Sequence, residues 1–144
     1  MRKQTMHKSI YERIFDRLVQ LGIDPHNPPE YAKSRSEGFM DLNLDLLHKA
    51  TDCVEIALAH YFEMNSDLVP DPDMQIRIYS ATKMAEALTY QDQFGYREVY
   101  PQPGKVNVAA KKDLNNFLAQ WLKNCLDQGH SFRQAGEGTT DGEQ

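Results

Sequence analysis

The segment between residues 77 and 100 combines basic, acidic and aromatic side chains that could recognise a small molecule. Arg77 and Glu86 fall on neighbouring predicted strands, close to five aromatic residues: Tyr79, Tyr90, Phe94, Tyr96 and Tyr100. Aromatic rings beside a guanidinium can form a concave surface for a planar ligand or a partner. The simpler interpretation is structural, because strands favour aromatic residues and Arg77 and Glu86 could form a cross-strand ion pair.

Three lysines near the start of the predicted last helix offer a second kind of chemistry. Lys105, Lys111 and Lys112 lie where exposed backbone amides attract anions. A phosphate or carboxylate could bind there, although solvated lysines are common at helix starts. Together with Asn115, at the edge of that helix's apolar arc, the candidate ligand-binding set is Arg77, Tyr79, Glu86, Tyr100, Lys111 and Asn115.

No pattern in the sequence marks a catalytic or metal centre. His60 shares a predicted strand face with Ile56 and Leu58, where a general base or ligand is possible, but a hydrogen-bonded histidine is the more common case. No Ser or Cys is paired in sequence with an activating His. The five histidines lack metal-binding spacing and do not group with Cys53 and Cys125, which we expect to be free thiols. We therefore expect no metal, and a binding protein rather than an enzyme.

Composition narrows the function classes further. The sequence contains neither GxxxxGK[ST] nor GxGxxG, so no nucleotide cofactor is expected. A net charge of −5, with no basic run longer than two lysines, argues against a nucleic-acid partner. Apolar runs are far shorter than the roughly 20 residues of a membrane span. The N-terminal segment also lacks the apolar region of a signal peptide. These features predict a cytoplasmic protein without membrane segments.

Hydrophobic periodicity predicts the elements that would position the candidate residues. Ser9 and Glu12 form a capping box before an amphipathic helix that ends at Gly22. Residues 24–29 are proline-rich and predict a surface connection. Alternating apolar residues predict strands at 40–46, 54–62 and 74–79. The composition of residues 84–90 would also suit a helix, but the neighbouring strands favour a fourth strand, and residues 94–100 could extend the sheet. Residues 65–73, with two Pro and three Asp, predict a loop.

The final periodic segment, about residues 107–128, predicts an amphipathic helix. Its apolar positions cover an arc wide enough to require a second contact besides the sheet, either the N-terminal helix or another subunit. Residues 133–144 predict a disordered tail. The prediction is thus a single α+β domain at 1–132: an N-terminal helix, an antiparallel sheet of four to five strands and a C-terminal amphipathic helix, in two layers.

Several short motifs resemble a known family. They are Arg77-Ile-Tyr79, Met84-Ala-Glu86, Tyr100-Pro101 and the run from Leu114-Asn115-Asn116-Phe117-Leu118 through Trp121-Leu122 and Cys125-Leu126 to Gly129. Between about residues 74 and 129 the chain resembles the YqiB-like proteins, a family of small proteobacterial proteins treated as a domain of unknown function. The resemblance implies a bacterial cytoplasmic protein and supplies no reaction.

Two positions depart from the pattern of that family. A His-Asp pair commonly follows the tyrosine that matches Tyr79, whereas this chain has Ser80-Ala81. A charged Gln-Arg-Asp-Glu-Lys run precedes the last helix in the family, and here only Lys111 and one polar side chain remain of it. Any function that depends on those charged groups would be altered in this protein.

Two hypotheses follow from the sequence. The first is a non-enzymatic binding or interaction module, with a protein partner or a homodimer. The alternative is a protein, or a small enzyme, that binds a small anionic molecule through the sheet region around Arg77, Tyr79 and Glu86.

Overall fold

The computed structural model describes residues 7–133 of the chain. In that part the order of elements is α1 (Ile10–Gln20), β1 (Tyr31–Ser34), β2 (Leu42–Lys49), β3 (Val54–Met64), β4 (Asp67–Tyr79), β5 (Met84–Asp92), β6 (Gly95–Glu98) and α2 (Val108–Asp127). The α+β class, with two helices and one antiparallel sheet, is confirmed. The predicted tail at 133–144 lies, apart from Arg133, outside the described residues.

Helix α1 begins and ends as its sequence predicts. The Ser9 hydroxyl accepts a hydrogen bond from the Glu12 amide, and the Glu12 carboxylate accepts one from the Ser9 amide. Gly22 follows the helix with φ of +96°, a conformation that favours glycine. A Cβ atom at this position would also lie 2.7 Å from the backbone nitrogen of Arg133. The chain after α2 therefore packs directly over the end of α1.

The sheet has six strands in sequential order, β1 to β6, and each pair is antiparallel. The prediction of four to five strands is wrong because β1 gives no periodic signal. This strand is only four residues long and buries only Ser34, so no alternation of apolar residues announces it. The fifth predicted strand, at 94–100, is present in shorter form as β6.

The loop predicted at 65–73 is also wrong. Only Asn65 and Ser66, both with positive φ, form the turn, and the chain from Asp67 onward is part of β4. Asp67 pairs with Met64 immediately after the turn. In an antiparallel ladder counted from that pair, Pro70 occupies a non-hydrogen-bonded position, so its missing N–H faces the outer edge and not β3. The prolines are therefore compatible with the strand.

Both helices cover one face of the sheet, and their buried side chains share one core with alternate strand residues, among them Leu44, Ile56, Leu58, Ile76, Ile78, Leu118 and Leu122. Helix α1 packs against α2 and both contact β5. The second contact predicted for α2 is therefore provided by α1, and the Arg17 guanidinium donates to the Ala119 carbonyl across it at 2.6 Å. Phe117, predicted in the apolar arc, remains 39% exposed.

Candidate functional site

Three charged side chains form a row across the uncovered face of the sheet. The strand register places Arg77 of β4 between Glu55 of β3 and Glu86 of β5. The Arg77 Nε lies 2.9 Å from Glu55 Oε2, and its Nη1 lies 3.9 Å from Glu86 Oε2. The expected ion pair between Arg77 and Glu86 is therefore present, but Glu55 is the closer partner. One guanidinium links three strands.

Glu86 is the most buried member of this row. Its residue surface is 8% exposed, so its carboxylate needs partners within the protein. Oε2 accepts a hydrogen bond from the Tyr79 hydroxyl at 2.7 Å. Oε1 accepts from the Tyr100 hydroxyl at 2.5 Å and from the Lys111 ammonium at 3.4 Å. Both carboxylate oxygens are thus engaged, and four of the six candidate residues meet at one point.

Lys111 reaches this point from the first turn of α2. Its Nζ donates to the Tyr100 hydroxyl at 3.0 Å and lies 5.2 Å and 5.4 Å from the ring centroids of Tyr11 and Tyr100. Burial opposes the charge on Lys111, but the hydrogen bond to Tyr100 and the nearby Glu86 outweigh it and raise its pKa. The ammonium therefore stays protonated, held by a carboxylate and two aromatic rings.

The two tyrosines are also held in their protonated forms. Burial raises the pKa of Tyr79, and the Glu86 carboxylate raises it further, against the opposing effect of Arg77. Burial and Glu86 likewise raise the pKa of Tyr100, against the effect of Lys111. Both phenols therefore act as hydrogen-bond donors at neutral pH.

Asn115 lies one turn along α2 from Lys111 and is 1% exposed. Its Oδ1 accepts the Ala87 amide at 2.8 Å, and its Nδ2 donates to the Lys111 carbonyl at 2.7 Å. Because β6 pairs only with residues from Thr89 onward, this part of β5 is the free edge of the sheet. Asn115 caps that edge and fixes α2, and with it Lys111, against the strand.

A pocket of about 320 Å³ opens beside this network, at the edge of the sheet between α1, β5 and the start of α2. It is lined by Tyr11, Tyr79, Thr82, Met84, Ala85, Glu86, Tyr100 and Lys111. The sequence identified Tyr79, Glu86, Tyr100 and Lys111 among these. Arg77 and Asn115 are not among the lining residues. Tyr11, Thr82, Met84 and Ala85 were missed. Met84 and Ala85 directly precede Glu86 on β5, but their apolar side chains carry no chemical signature. Tyr11 reaches the pocket only because α1 packs against α2.

Comparison with known proteins assigns the chain to a family. The profile of the family described as "Domain of unknown function (DUF6908)" matches residues 10–131. The chain belongs to this family. It is also 35% identical over 60 residues to the "Uncharacterized protein YqiB" of Escherichia coli strain K12 and to that of E. coli O157:H7. That match covers 40% of this chain and 43% of each relative, so the chain spans less than half the length of the curated relatives. No solved structure matches the chain significantly.

These comparisons confirm the resemblance to YqiB-like bacterial proteins and to a domain of unknown function. They name no activity, so the chemistry of the DUF6908 domain must be judged from its geometry.

A second polar cluster in the DUF6908 domain surrounds His60. The His60 Nδ1 lies 2.8 Å from the Asp41 carbonyl, which can only accept, so Nδ1 carries the proton. His60 Nε2 then faces the Cys125 thiol at 3.9 Å. Burial raises the pKa of Cys125 to about 12, which keeps the sulfur as a thiol at neutral pH. His60 is thus a buried, hydrogen-bonded histidine, and this pair contains no activated nucleophile.

Cys53 and Cys125 are both free thiols, as expected from the sequence, although Cys53 is only half-buried. Within residues 7–133, no three His, Cys, Asp or Glu side chains are arranged to hold a metal ion. Neither of the two described helices is long and apolar enough to cross a membrane.

Proposed function

We propose that this DUF6908 domain is a non-enzymatic binding protein whose ligand site is the pocket beside Glu86. The observation that carries the proposal is the combination of a buried, fully engaged carboxylate network with an aromatic and apolar pocket wall. Small-molecule sites are typically concave and mainly apolar, with a few fixed polar groups that orient the ligand. The network of Glu86, Tyr79, Tyr100 and Lys111 supplies those fixed groups.

The protonation states around the pocket favour binding over catalysis. The pKa values of Lys111, Tyr79 and Tyr100 are raised, so all three groups are already protonated at neutral pH. None of them can accept a further proton. Both oxygens of Glu86 already accept hydrogen bonds. Among these four residues, no group is therefore free to act as a general base or a nucleophile.

Charge balance indicates the ligand class. The two cations, Arg77 and Lys111, are each paired with a carboxylate. An anion would have to compete with Glu55 and Glu86 for those cations, whereas an uncharged ligand would not. A volume of about 320 Å³ lies at the small end of ligand pockets. We therefore propose a compact, uncharged, planar molecule that stacks on the tyrosines and accepts a hydrogen bond from Lys111 or Thr82.

The anionic ligand proposed from the sequence is the second candidate. It is favoured by the position of Lys111 in the first turn of α2, where the helix dipole also attracts negative charge. It requires that Lys111 exchange Glu86 for the ligand. A cytoplasmic location, also proposed from the sequence, is compatible with either ligand.

A thermal-shift screen would test the site. The panel contains uncharged aromatic heterocycles in one arm, and inorganic phosphate and small carboxylates in the other. A ligand present at 100 times its Kd adds about 2.7 kcal/mol, which raises Tm by roughly 5–10 °C in a domain of this size. We expect shifts in the heterocycle arm. Shifts confined to the phosphate and carboxylate arm would favour the second candidate.

Two matched variants separate this pocket from the rest of the surface. Thr82→Trp places an indole at the pocket from an exposed loop position whose native side chain takes no part in the hydrogen bonds of the Glu86 network. Thr51→Trp adds the same indole at an exposed turn elsewhere. The ligand-induced shift should be lost in Thr82→Trp and kept in Thr51→Trp. Equal shifts in both variants, or no shift with any compound in the wild type, would refute the proposed site.

A further inference from the structure

The hairpin formed by β3 and β4 extends beyond the rest of the sheet. At this end, the last residue of β3 that pairs with β2 is Ala59, and the first residue of β4 that pairs with β5 is Asp73. Between them, residues 61–70 pair only with each other, through a ladder that ends at Met64 and Asp67. We call residues 60–73 the hairpin arm. Both of its outer edges are free of strand partners in the described structure.

The hairpin arm carries charge of one sign. It contains four acidic residues, Glu63, Asp67, Asp71 and Asp73, and no Lys or Arg. Among residues 7–133, none of the four carboxylates is in a salt bridge. Asp73 is half-buried beside the Tyr61 hydroxyl, and burial raises its pKa. The other three carboxylates have no ion-pair partner among the described residues, and together they give the arm a negative potential that attracts cationic groups.

Apolar side chains accompany this charge at the tip. Leu68 is 67% exposed and Met64 is 44% exposed. They lie on opposite faces of the tip, because Leu68 pairs with Glu63 and Met64 pairs with Asp67. At the base of the arm, Asp71 and Pro72 line a shallow pocket of about 330 Å³ together with Phe39, Met40, Phe117 and Trp121. Within this lining, Phe39 and Phe117 are 51% and 39% exposed. Clustered exposed apolar residues of this kind typically mark interaction surfaces.

The arm's backbone is poorly suited to strand addition along β4. Pro70 and Pro72 both lack an N–H group, and Pro70 presents that gap to the outer edge. Any partner on this side must therefore be recognised through side chains and not through a continued ladder.

We propose that the hairpin arm is a docking element for another protein whose surface is basic with an apolar centre. Charge complementarity selects this partner. Met64 and Leu68 lie on opposite faces of the tip, so the tip would enter an apolar cleft, and the acidic side chain on each face would pair with basic groups at the rim. A second copy of this chain is disfavoured, because it would bring a formal charge of −5 and the same acidic arm. This partner site is separate from the ligand pocket beside Glu86, and the proposal does not depend on that pocket.

A defined peptide serves as the probe. We would titrate the protein with a fluorescent 14-residue peptide of alternating Lys and Leu, and with a control peptide of alternating Lys and Ser. Binding to the Lys-Leu peptide should weaken as salt is raised, since exposed charges are screened. Replacing Leu by Ser should weaken binding about tenfold or more, which corresponds to about 1.4 kcal/mol. Equal binding of the two peptides would overturn the role of the apolar tip.

Variants locate the binding surface. Two double variants should each weaken binding of the Lys-Leu peptide about tenfold. One combines Glu63→Gln with Asp67→Asn, and the other combines Met64→Ser with Leu68→Ser. The matched control, Glu30→Gln with Asp52→Asn, removes two exposed charges elsewhere on the surface and should change binding less than twofold. Equal losses in the control and the arm variants would show unspecific attraction and overturn the proposal.

Two further measurements keep the test decisive. Amide NMR shifts in the wild type, which do not depend on any variant folding, should map the peptide to residues 60–73. A map elsewhere would contradict the proposal. Sedimentation of the wild type without peptide should show a monomer. A dimer that the Met64→Ser with Leu68→Ser variant converts to monomer would identify a second copy as the arm's partner, against the proposal.

Discussion

Asn115 of α2 accepts the backbone N–H of Ala87 of β5 through its side-chain oxygen, at 2.8 Å. The same side chain donates to the Lys111 carbonyl one turn earlier in its own helix. A single buried amide therefore satisfies the free edge of the sheet and fastens the helix that carries Lys111. This contact explains why a polar residue occupies a fully buried position in the core.

Replacing Asn115 with Ala should destabilise the protein by about 1–3 kcal/mol, because the Ala87 amide would be buried without a partner. Chemical denaturation would measure the change. Asn116→Ala is the matched control, since Asn116 is exposed on the next position of the helix, and it should change the stability by less than about 0.5 kcal/mol. Similar effects of the two substitutions would contradict the role given to Asn115.

Glu86 and Lys111 should be energetically coupled. The Glu86 side chain is 10% exposed and that of Lys111 is 33% exposed, so removing either one leaves the other partly desolvated without its partner. We expect a double-mutant cycle of Glu86→Gln and Lys111→Met to give a coupling energy of roughly 0.5–3 kcal/mol. Urea denaturation of the four proteins would provide it.

The surface pair Lys123 and Asp127 provides the comparison. Its side chains are 53% and 63% exposed, and exposed pairs contribute little. The corresponding cycle should give a coupling energy below about 0.5 kcal/mol. If both cycles gave the same value, burial would not be what strengthens the pair at Glu86.

The two thiols should differ in reactivity. Cys125 is fully buried with its pKa raised to about 12, whereas Cys53 is half-buried with a pKa raised by burial and by Asp52. At pH 8 a maleimide should label Cys53 slowly and leave Cys125 unmodified until the protein unfolds. Mass spectrometry of the native and urea-unfolded protein would count the labels. Rapid labelling of Cys125 in the native state would show that its thiol is accessible.

Local periodicity was sufficient to predict part of the candidate site. Alternation along β4 and β5 predicts that Arg77 and Glu86 face the same side, and the observed register pairs them. The 3.6-residue period likewise predicts α2, which runs within one residue of the expected ends. These features depend on interactions between close neighbours in sequence, so sequence alone reports them.

The remainder depends on contacts between distant segments. Tyr100 follows β6 in a connection, yet its hydroxyl reaches Glu86 on β5. Tyr11 joins the pocket because α1 packs against α2, and no local pattern encodes that contact. In the hairpin arm, pairing with β3 overrides a composition that is typical of loops, since Pro70 lies at a non-hydrogen-bonded position and Pro72 lies where the register shifts. In each of these cases, contacts between segments distant in sequence determine the structure.

His130 should make the stability depend on pH. It is 3% exposed, and its Nδ1 lies within hydrogen-bond distance of the Ser34 hydroxyl oxygen, at 2.8 Å, which also accepts the Ser131 amide. The other ring nitrogen, Nε2, is buried without a partner among the described residues. Burial and the neighbouring His60, whose ring centroid lies 5.9 Å away, lower the pKa of His130 below its usual value of 6.5.

The direction of the effect follows from proton uptake. As the pH falls through about 6.5, the unfolded chain binds a proton at His130 that the folded protein does not bind, so the free energy of unfolding decreases. This contribution to stability is fully present above pH 6.5 and is lost as the pH approaches the lowered pKa. One proton gives a slope of at most about 1.4 kcal/mol per pH unit. Thermal unfolding between pH 7.5 and 5.5 would measure it.

A pair of variants assigns the effect to His130. His130→Asn should reduce the loss of Tm on acidification, because a non-titrating side chain takes up no proton. His26→Asn, which replaces an exposed histidine, should retain the wild-type pH dependence. If both variants lose the same amount of stability as the wild type between pH 7.5 and 5.5, a different group governs the acid sensitivity of this fold.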